Sequence, residues 1–189
     1  MRGWDTYLAG STIAILCLLT FGLGSKELGI SRAALEQGEW VRCFSFMFAH
    51  NGASHLLINL AALAFVTLIA RELKISGLAF LAVFIGAGFL AVVPVLLVPG
   101  SFVFLGASAG ISALFGATTV KMRSYELPGP TIFIMFASAL GINSAIEVWT
   151  AGSVEAEVQF FAHLFALILG AALMFGAELA SRVEVPRGS

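Results

Sequence analysis

The chain has 189 residues, of which 59% are hydrophobic and 11% are charged. Water-soluble domains usually carry about 25% charged residues, so this composition excludes an ordinary soluble domain and indicates an integral membrane protein. The formal net charge of −1, without a basic cluster, argues against nucleic acid as a partner. The two cysteines, Cys17 and Cys43, predict no disulfide framework.

Six apolar segments of roughly membrane-spanning length follow one another along the chain. A spanning helix needs about 20 mostly apolar residues, and the segments lie at 7–23, 50–70, 76–97, 105–121, 130–147 and 159–179. Charged residues, proline or glycine separate them. Residues 1–183 are therefore predicted to form a single all-α domain, a bundle of six transmembrane helices. Residues 184–189 include Val-Pro-Arg-Gly-Ser and are typical of an expression-tag remnant.

The basic residues predict the orientation of these helices. The first segment is longer than the usual signal-peptide core and no clear cleavage site follows it, so we expect a retained helix. With a cytoplasmic N-terminus, the inner side receives more basic residues than the outer side: Arg2, Arg71, Lys74, Lys121, Arg123 and Arg182 against Lys26, Arg32 and Arg42. The positive-inside bias then places both termini in the cytoplasm. In a bacterium, this corresponds to the inner membrane with the outer side periplasmic.

The loop between the first two segments, residues 24–49, mixes charged and apolar side chains. It is too polar to span the bilayer and too apolar to extend freely into water. We expect it to lie in the outer interface, partly helical, with Trp40 at headgroup level. Such a loop is either a packing element or a rim that controls lateral access to a site.

The second segment carries His50 and His55, and Asn59 follows four residues after His55. Residues four apart are neighbours on a helix, so His55 and Asn59 are expected on one face. In a regular helix His50 would be rotated from His55 by about 140°. With no inward carboxylate or thiolate, this geometry argues against a metal site, and no cofactor is predicted.

The fourth and sixth segments each carry one polar residue of interest. Ser108 is expected about one turn into the fourth helix, and His163 about four to six residues into the sixth. Both should lie in the outer half of the membrane, together with His55 and Asn59. Polar residues are costly inside a bilayer, so their convergence at one depth predicts a hydrated cavity that opens to the outer face.

These residue types suit nucleophilic catalysis. A serine hydroxyl needs a base to take its proton as it attacks, and His163 fits that role if the two helices touch. The only aspartate, Asp5, lies at the cytoplasmic end, so the sequence predicts a Ser/His dyad. His55 and Asn59 are candidate donors to an oxyanion, beside the Ser108 backbone N–H.

Each of these residues also has a purely structural interpretation. The string Gly106-Ala-Ser-Ala-Gly110 is a Gly-x-x-x-Gly packing motif, and a serine in a membrane helix commonly bonds its own backbone. His163 could be a satisfied core histidine or a proton-relay member. Asn59 could join two helices. Taken separately these interpretations are the stronger ones, but they explain poorly why all these residues gather at one level.

Three segments resemble the rhomboid intramembrane serine proteases. His50-Asn-Gly-Ala-Ser-His55-Leu-Leu-Ile-Asn59 is similar to the family's second-helix motif, and Leu105-Gly-Ala-Ser108 to its Gly-x-Ser nucleophile motif. Ala162-His163, with Gly170 seven residues later, is similar to the sixth-helix motif. The resemblance implies Ser108 as nucleophile, His163 as general base and His55 and Asn59 as oxyanion donors. It also implies a shaping role for His50 and a membrane-embedded first loop.

Some positions depart from the family pattern. Ala109 stands where a glycine usually follows the nucleophile, Ser112 where an aromatic residue commonly packs beside the base, and Ala166 where a glycine is usual. The loop has Trp-Val-Arg instead of adjacent Trp-Arg. The Gly-Ala-Ser-Ala context of Ser108 and the lack of appended domains are similar to the bacterial rhombosortases. That subgroup is thought to process proteins with a C-terminal Gly-Gly-type membrane anchor.

The predicted activity is therefore cleavage of a transmembrane or anchor segment of another membrane protein near its outer end. Two other functions are compatible with such a chain: a catalytically inactive relative that binds membrane clients, and a small transporter or proton channel. A channel would need polar residues that continue toward the cytoplasmic side, and the inner halves of the spans are nearly free of ionisable groups.

Overall fold

The structure is a computed structural model that describes residues 4–24, 26–97, 102–151 and 154–183. Within these ranges the chain is helical. Its helices are α1 (Trp4–Gly22), α2 (Arg32–Glu36), α3 (Arg42–Ser45), α4 (Ala53–Glu72), α5 (Gly77–Ala82), α6 (Gly88–Leu96), α7 (Ser108–Met122), α8 (Gly129–Ala151) and α9 (Val154–Val183). A π-helical turn, Val83–Ala87, joins α5 to α6. The predicted tag remnant at 184–189 lies outside the described residues.

Four helical stretches of the described chain are long and apolar enough to cross a membrane: Trp4–Gly22, Ala53–Glu72, Gly77–Pro94 and Glu157–Ser181. Gly129–Ile142, within α8, is a shorter apolar helix. Large apolar side chains such as Leu57, Ile58 and Leu78 are mostly exposed on the outside of the bundle. A bilayer is the solvent that such a surface requires. These features confirm an all-helical integral membrane protein, whereas the count of six spans and the single-domain boundary at 183 stay predictions.

Helix α7 occupies the centre of the bundle, and eleven of its fifteen residues are buried. Its main partner is α9, and glycines allow the two backbones to approach closely. A Cβ atom on Gly116 would lie 1.9 Å from the Leu167 carbonyl oxygen, and one on Gly170 would lie 1.8 Å from the Ala113 carbonyl oxygen. Glycine lets helices pack in this way because it has no side chain. The two helices run in the same direction, and at their far ends Lys121 forms a 3.1 Å ion pair with Glu178.

The loop between α1 and α4 is folded against the segment that precedes α7. Ile30 and Phe104 form an isolated antiparallel bridge with two backbone hydrogen bonds of 2.8 Å each. Arg42 donates to the Gly29 carbonyl oxygen and pairs with Glu39. Trp40, Val41 and Phe44 point outward with more than 60% of their surface exposed. The two short helices of this loop and its apolar outer face are compatible with a location in the outer interface of the membrane. That location stays a prediction.

Two predicted helix boundaries are wrong in ways that affect the site. The fourth helix begins at Ser108, not at 105, because the chain is still extended at Phe104, which pairs with Ile30. The sixth helix begins at Val154, not at 159, which places His163 about 14 Å along it at 1.5 Å per residue. Apolar content alone does not distinguish an extended apolar segment from a helix.

Candidate active site

Ser108 and His163, which the sequence predicts as nucleophile and base, lie side by side. The Nε2 atom of His163 is 2.7 Å from the Oγ atom of Ser108, at hydrogen-bond distance. Ser108 is the first residue of α7, where the positive end of the helix dipole favours a negative charge. The parallel packing of α7 against α9 brings the two side chains to one level. This contact is the geometry that proton transfer from a serine to a histidine needs.

The turn that presents Ser108 depends on Gly106. Gly106 has a φ of +120°, a conformation that other residues rarely adopt. Its N–H donates to the Phe46 carbonyl oxygen at 2.8 Å, which ties the turn to the first loop. A Cβ atom on Gly106 would lie 2.8 Å from Cε1 of His55 and 3.0 Å from its Nε2. Gly106 is therefore part of the site, where it makes room for His55. Of the two glycines in the predicted Gly-x-x-x-Gly packing motif, only Gly110 packs between helices.

The two predicted oxyanion donors lie at the same cavity as the Ser108–His163 pair. His55 and Asn59 both line it, together with Ser108 and His163. Asn59 is 5% exposed, and its Nδ2 atom donates to the His55 carbonyl oxygen at 2.9 Å. This bond occupies one of the two N–H groups of the amide. It also fixes the Asn59 side chain within its own helix, and the described structure gives no bond from it to another helix.

His50 lies beside His55, just before the start of α4. Because α4 begins at Ala53, the 140° rotation expected for a regular helix does not apply to the two histidines. The centroids of the two imidazole rings are 5.1 Å apart, in an edge-to-face contact. Nδ1 of His50 lies 3.0 Å from the Phe48 carbonyl oxygen, and the residue is 2% exposed. Its packing against His55 agrees with the shaping role that the resemblance implies.

No carboxylate occurs among the described residues that line the cavity. In the part of the chain that is described, the site therefore has a serine and a histidine but no acidic residue that could complete a catalytic triad. Among those same residues there is also no group of three histidine, cysteine, aspartate or glutamate side chains arranged to hold a metal ion.

Sequence reasoning missed the support that the third span gives to the first turn of α7. The π-helical turn Val83–Ala87 packs against α7, and a Cβ atom on Gly110 would lie 2.5 Å from the Phe84 ring and 2.8 Å from the Phe84 carbonyl oxygen. A Cβ atom on Gly88 would likewise come too close to the Gly110 backbone. π turns are frequent at functional sites. The only signal of this close contact in the sequence was a glycine inside an apolar span. The sequence does not show which helix that glycine faces.

The cavity in front of the Ser108–His163 pair has a volume of about 780 Å³, within the range of about 300–1,000 Å³ typical of ligand pockets. Helices α4, α7, α8 and α9 contribute its walls. Its lining combines the polar residues near the Ser108–His163 pair with many phenylalanine and leucine side chains, among them Phe104, Phe136 and Phe160. This distribution suits a substrate that is itself mostly apolar.

Comparison with known protein families gives one match. The family model of the Rhomboid domain matches the sequence over residues 37–178, about three quarters of the chain. No curated protein matches the sequence. The matched range contains His55, Asn59, Ser108 and His163, and extends over the first loop from residue 37 onward. The chain therefore belongs to the rhomboid family, whose members are intramembrane serine proteases.

Proposed function

We propose that this protein is an active intramembrane serine endopeptidase with a Ser108–His163 dyad. The observation that carries the proposal is the 2.7 Å contact between Ser108 Oγ and His163 Nε2 at the wall of a large cavity. A protein that only binds clients has no need for this contact. No lysine, arginine, aspartate or glutamate is among the described residues that line the cavity. This composition disfavours a proton channel, since a channel needs polar groups that continue across the membrane.

The chemistry follows from the groups at the site. Ser108 Oγ attacks the peptide carbonyl carbon while its proton passes to His163 Nε2, and the carbonyl oxygen becomes the oxyanion. We propose that His55, Asn59 and the Ser108 backbone N–H donate to that oxygen. His163 then gives its proton to the leaving amine as the C–N bond breaks. Water then attacks the acyl carbonyl carbon while His163 takes its proton, the bond from that carbon to Ser108 Oγ breaks, and His163 returns the proton to Ser108 Oγ as the carboxylic acid product leaves.

The proposed substrates are membrane proteins cut near the outer end of a transmembrane or C-terminal anchor segment. In the proposed orientation both termini are cytoplasmic and the cavity opens to the periplasmic side of a bacterial inner membrane. The substrate segment has to unwind, because a helical peptide bond is shielded by its own hydrogen bonds. Glycine favours unwinding, so a Gly-Gly-type anchor of the kind processed by rhombosortases is a suitable substrate.

A reconstituted assay tests this function. Purified protein in proteoliposomes should cut at least one of a panel of anchored reporters, with and without a Gly-Gly motif at the outer end of the anchor. A fluorophosphonate should label the folded protein on one serine, identified as Ser108 by peptide mapping. If no reporter is cut and the folded protein resists labelling, the protease proposal falls and a client-binding function becomes the better account.

The oxyanion donors should affect turnover more than substrate binding. We expect His55→Ala and Asn59→Ala each to lower kcat by about 10² to 10³, because a single oxyanion donor contributes about that much. KM should change little, since the donors act on a charge that exists only in the transition state. Steady-state cleavage in proteoliposomes gives both constants. A rise in KM with unchanged kcat would assign these residues to substrate binding instead.

A further inference from the structure

A second, smaller cleft lies at the end of α7 that is farthest from Ser108. Arg123 directly follows α7, about 22 Å along the helix from Ser108 at 1.5 Å per residue. The hydrocarbon core of a bilayer is about 30 Å thick. With Ser108 in the outer half of the membrane, as proposed, Arg123 therefore lies at the opposite headgroup level, which is the cytoplasmic one in the proposed orientation.

This cleft, which we call the inner cleft, has a volume of about 210 Å³. Its lining consists of three polar and three apolar residues: Arg123, Ser124 and Glu178, and Val120, Phe175 and Leu179. Phe175 and Leu179 keep nearly half of their surface exposed, so the inner cleft adjoins the apolar outside of the bundle. Pockets that enclose a whole drug-sized ligand have volumes of about 300–1,000 Å³. The inner cleft can therefore hold only part of a molecule, whose remainder lies in the bilayer.

The charged groups at the inner cleft leave one positive charge without a partner. Lys121 pairs with Glu178 at 3.1 Å, and the Ser124 hydroxyl donates to the same carboxylate oxygen at 3.1 Å. Arg123 makes no ion pair within the described part of the chain. Glu126, three residues further on, is not among the described residues that line the cleft. An anionic group would therefore find an arginine that is not already neutralised.

An arginine at this depth suits a phosphate group of a lipid. The guanidinium group can donate two parallel hydrogen bonds to phosphate oxygens, and basic pockets between transmembrane helices on the cytoplasmic side bind lipid headgroups. A carboxylate has about four acceptor positions, so Glu178 can also accept from a hydroxyl group of the ligand. A second ammonium group, by contrast, would compete with Lys121 for that carboxylate.

We propose that the inner cleft binds one anionic phospholipid whose phosphodiester carries an uncharged polyol, as in phosphatidylglycerol. The phosphate accepts from Arg123, a headgroup hydroxyl donates to Glu178, and the chains begin against Phe175 and Leu179. Such a lipid joins the ends of α7 and α9, the two helices that carry Ser108 and His163. The inference does not depend on the proposed protease function, because no residue of the Ser108 cavity takes part.

The test measures which lipid the purified full-length protein retains. The protein in detergent micelles is mixed with equal amounts of phosphatidylglycerol and phosphatidylcholine with the same acyl chains, and native mass spectrometry counts the bound lipids. We expect wild type to retain one phosphatidylglycerol in preference to phosphatidylcholine. Phosphatidylethanolamine should be retained no better than phosphatidylcholine, because its ammonium group competes with Lys121. Glycerol 3-phosphate at the same concentration should not displace the lipid, since it has no chains to contact Phe175 and Leu179.

Two pairs of variants locate the binding. Arg123→Gln should lower the ratio of phosphatidylglycerol to phosphatidylcholine about fivefold, the effect expected for one basic residue near a membrane surface. Arg71→Gln makes the same change at the end of α4, where Arg71 pairs with Glu72 outside the cleft, and should leave the ratio unchanged. Leu179→Trp fills the cleft and should also lower the ratio. Leu173→Trp is its control, because Leu173 is equally exposed on α9 and does not line the cleft.

Three results would overturn the proposal. Wild type could retain both lipids equally, or Arg71→Gln and Arg123→Gln could lower the ratio equally, which is the result of a diffuse charge effect. Complete displacement by glycerol 3-phosphate would show a phosphate site that does not select a lipid. Thermal unfolding in the same micelles verifies that each variant is folded. If Arg123→Gln does not fold, the comparison of Leu179→Trp with Leu173→Trp decides alone.

Discussion

Replacing Ser108 with alanine is expected to lower kcat by about 10³-fold or more, and His163→Ala by a similar factor. The two side chains are 2.7 Å apart, and in the proposed mechanism they share one proton transfer, so neither is expected to be effective without the other. Groups that act as a unit give non-additive losses. The double variant should therefore be about as active as either single variant. KM should stay close to the wild-type value, because the substrate contacts the cavity walls in every variant.

The same proteoliposome reporter, followed over hours to reach low rates, measures these losses. Ser181→Ala is a matched control, because Ser181 is exposed on α9 and donates only to the nearby Glu178 carbonyl oxygen. That variant should retain wild-type turnover. Additive losses, in which the double variant falls by the product of both factors, would show that Ser108 and His163 act in separate steps and would contradict the dyad.

Substituting alanine for Gly170 is expected to separate α7 from α9 and to remove most of the activity. The new Cβ atom would lie 1.8 Å from the Ala113 carbonyl oxygen, which is backbone and cannot rotate away. Overpacking of this kind typically destabilises by about 1–3 kcal/mol. The loss of catalytic activity should be larger than the loss expected from the lower free energy of unfolding alone. A shift of about 1 Å at a reacting group can cost about 10²-fold in rate, and the two helices carry the proposed nucleophile and base.

Gly176→Ala is the matched control for this prediction. It lies on the same helix, and a Cβ atom there would have no neighbour within 4 Å. Because alanine is the better helix former, that variant should be as stable as wild type or up to about 1 kcal/mol more stable. Thermal unfolding in detergent micelles and the rate of fluorophosphonate labelling report the two effects separately. A Gly170→Ala protein with wild-type labelling would show that the α7–α9 distance does not control the Ser108–His163 contact.

The class of protein and four of the residues that meet at the site could be predicted from the amino-acid sequence. High apolar content over segments of spanning length indicates membrane helices, because an exposed polar backbone is too costly in lipid. Polar residues inside such helices are costly as well, which is why His55, Asn59, Ser108 and His163 could be selected without a structure. The structure brings all four to one cavity.

Where the helices begin and which of their faces meet depend on tertiary contacts. Pairing with Ile30 keeps Phe104 extended, so α7 begins at Ser108. The irregular chain before Ala53 lets the His50 ring contact His55. These outcomes depend on hydrogen bonds and close packing between segments far apart in the chain, and hydropathy carries no information about such contacts.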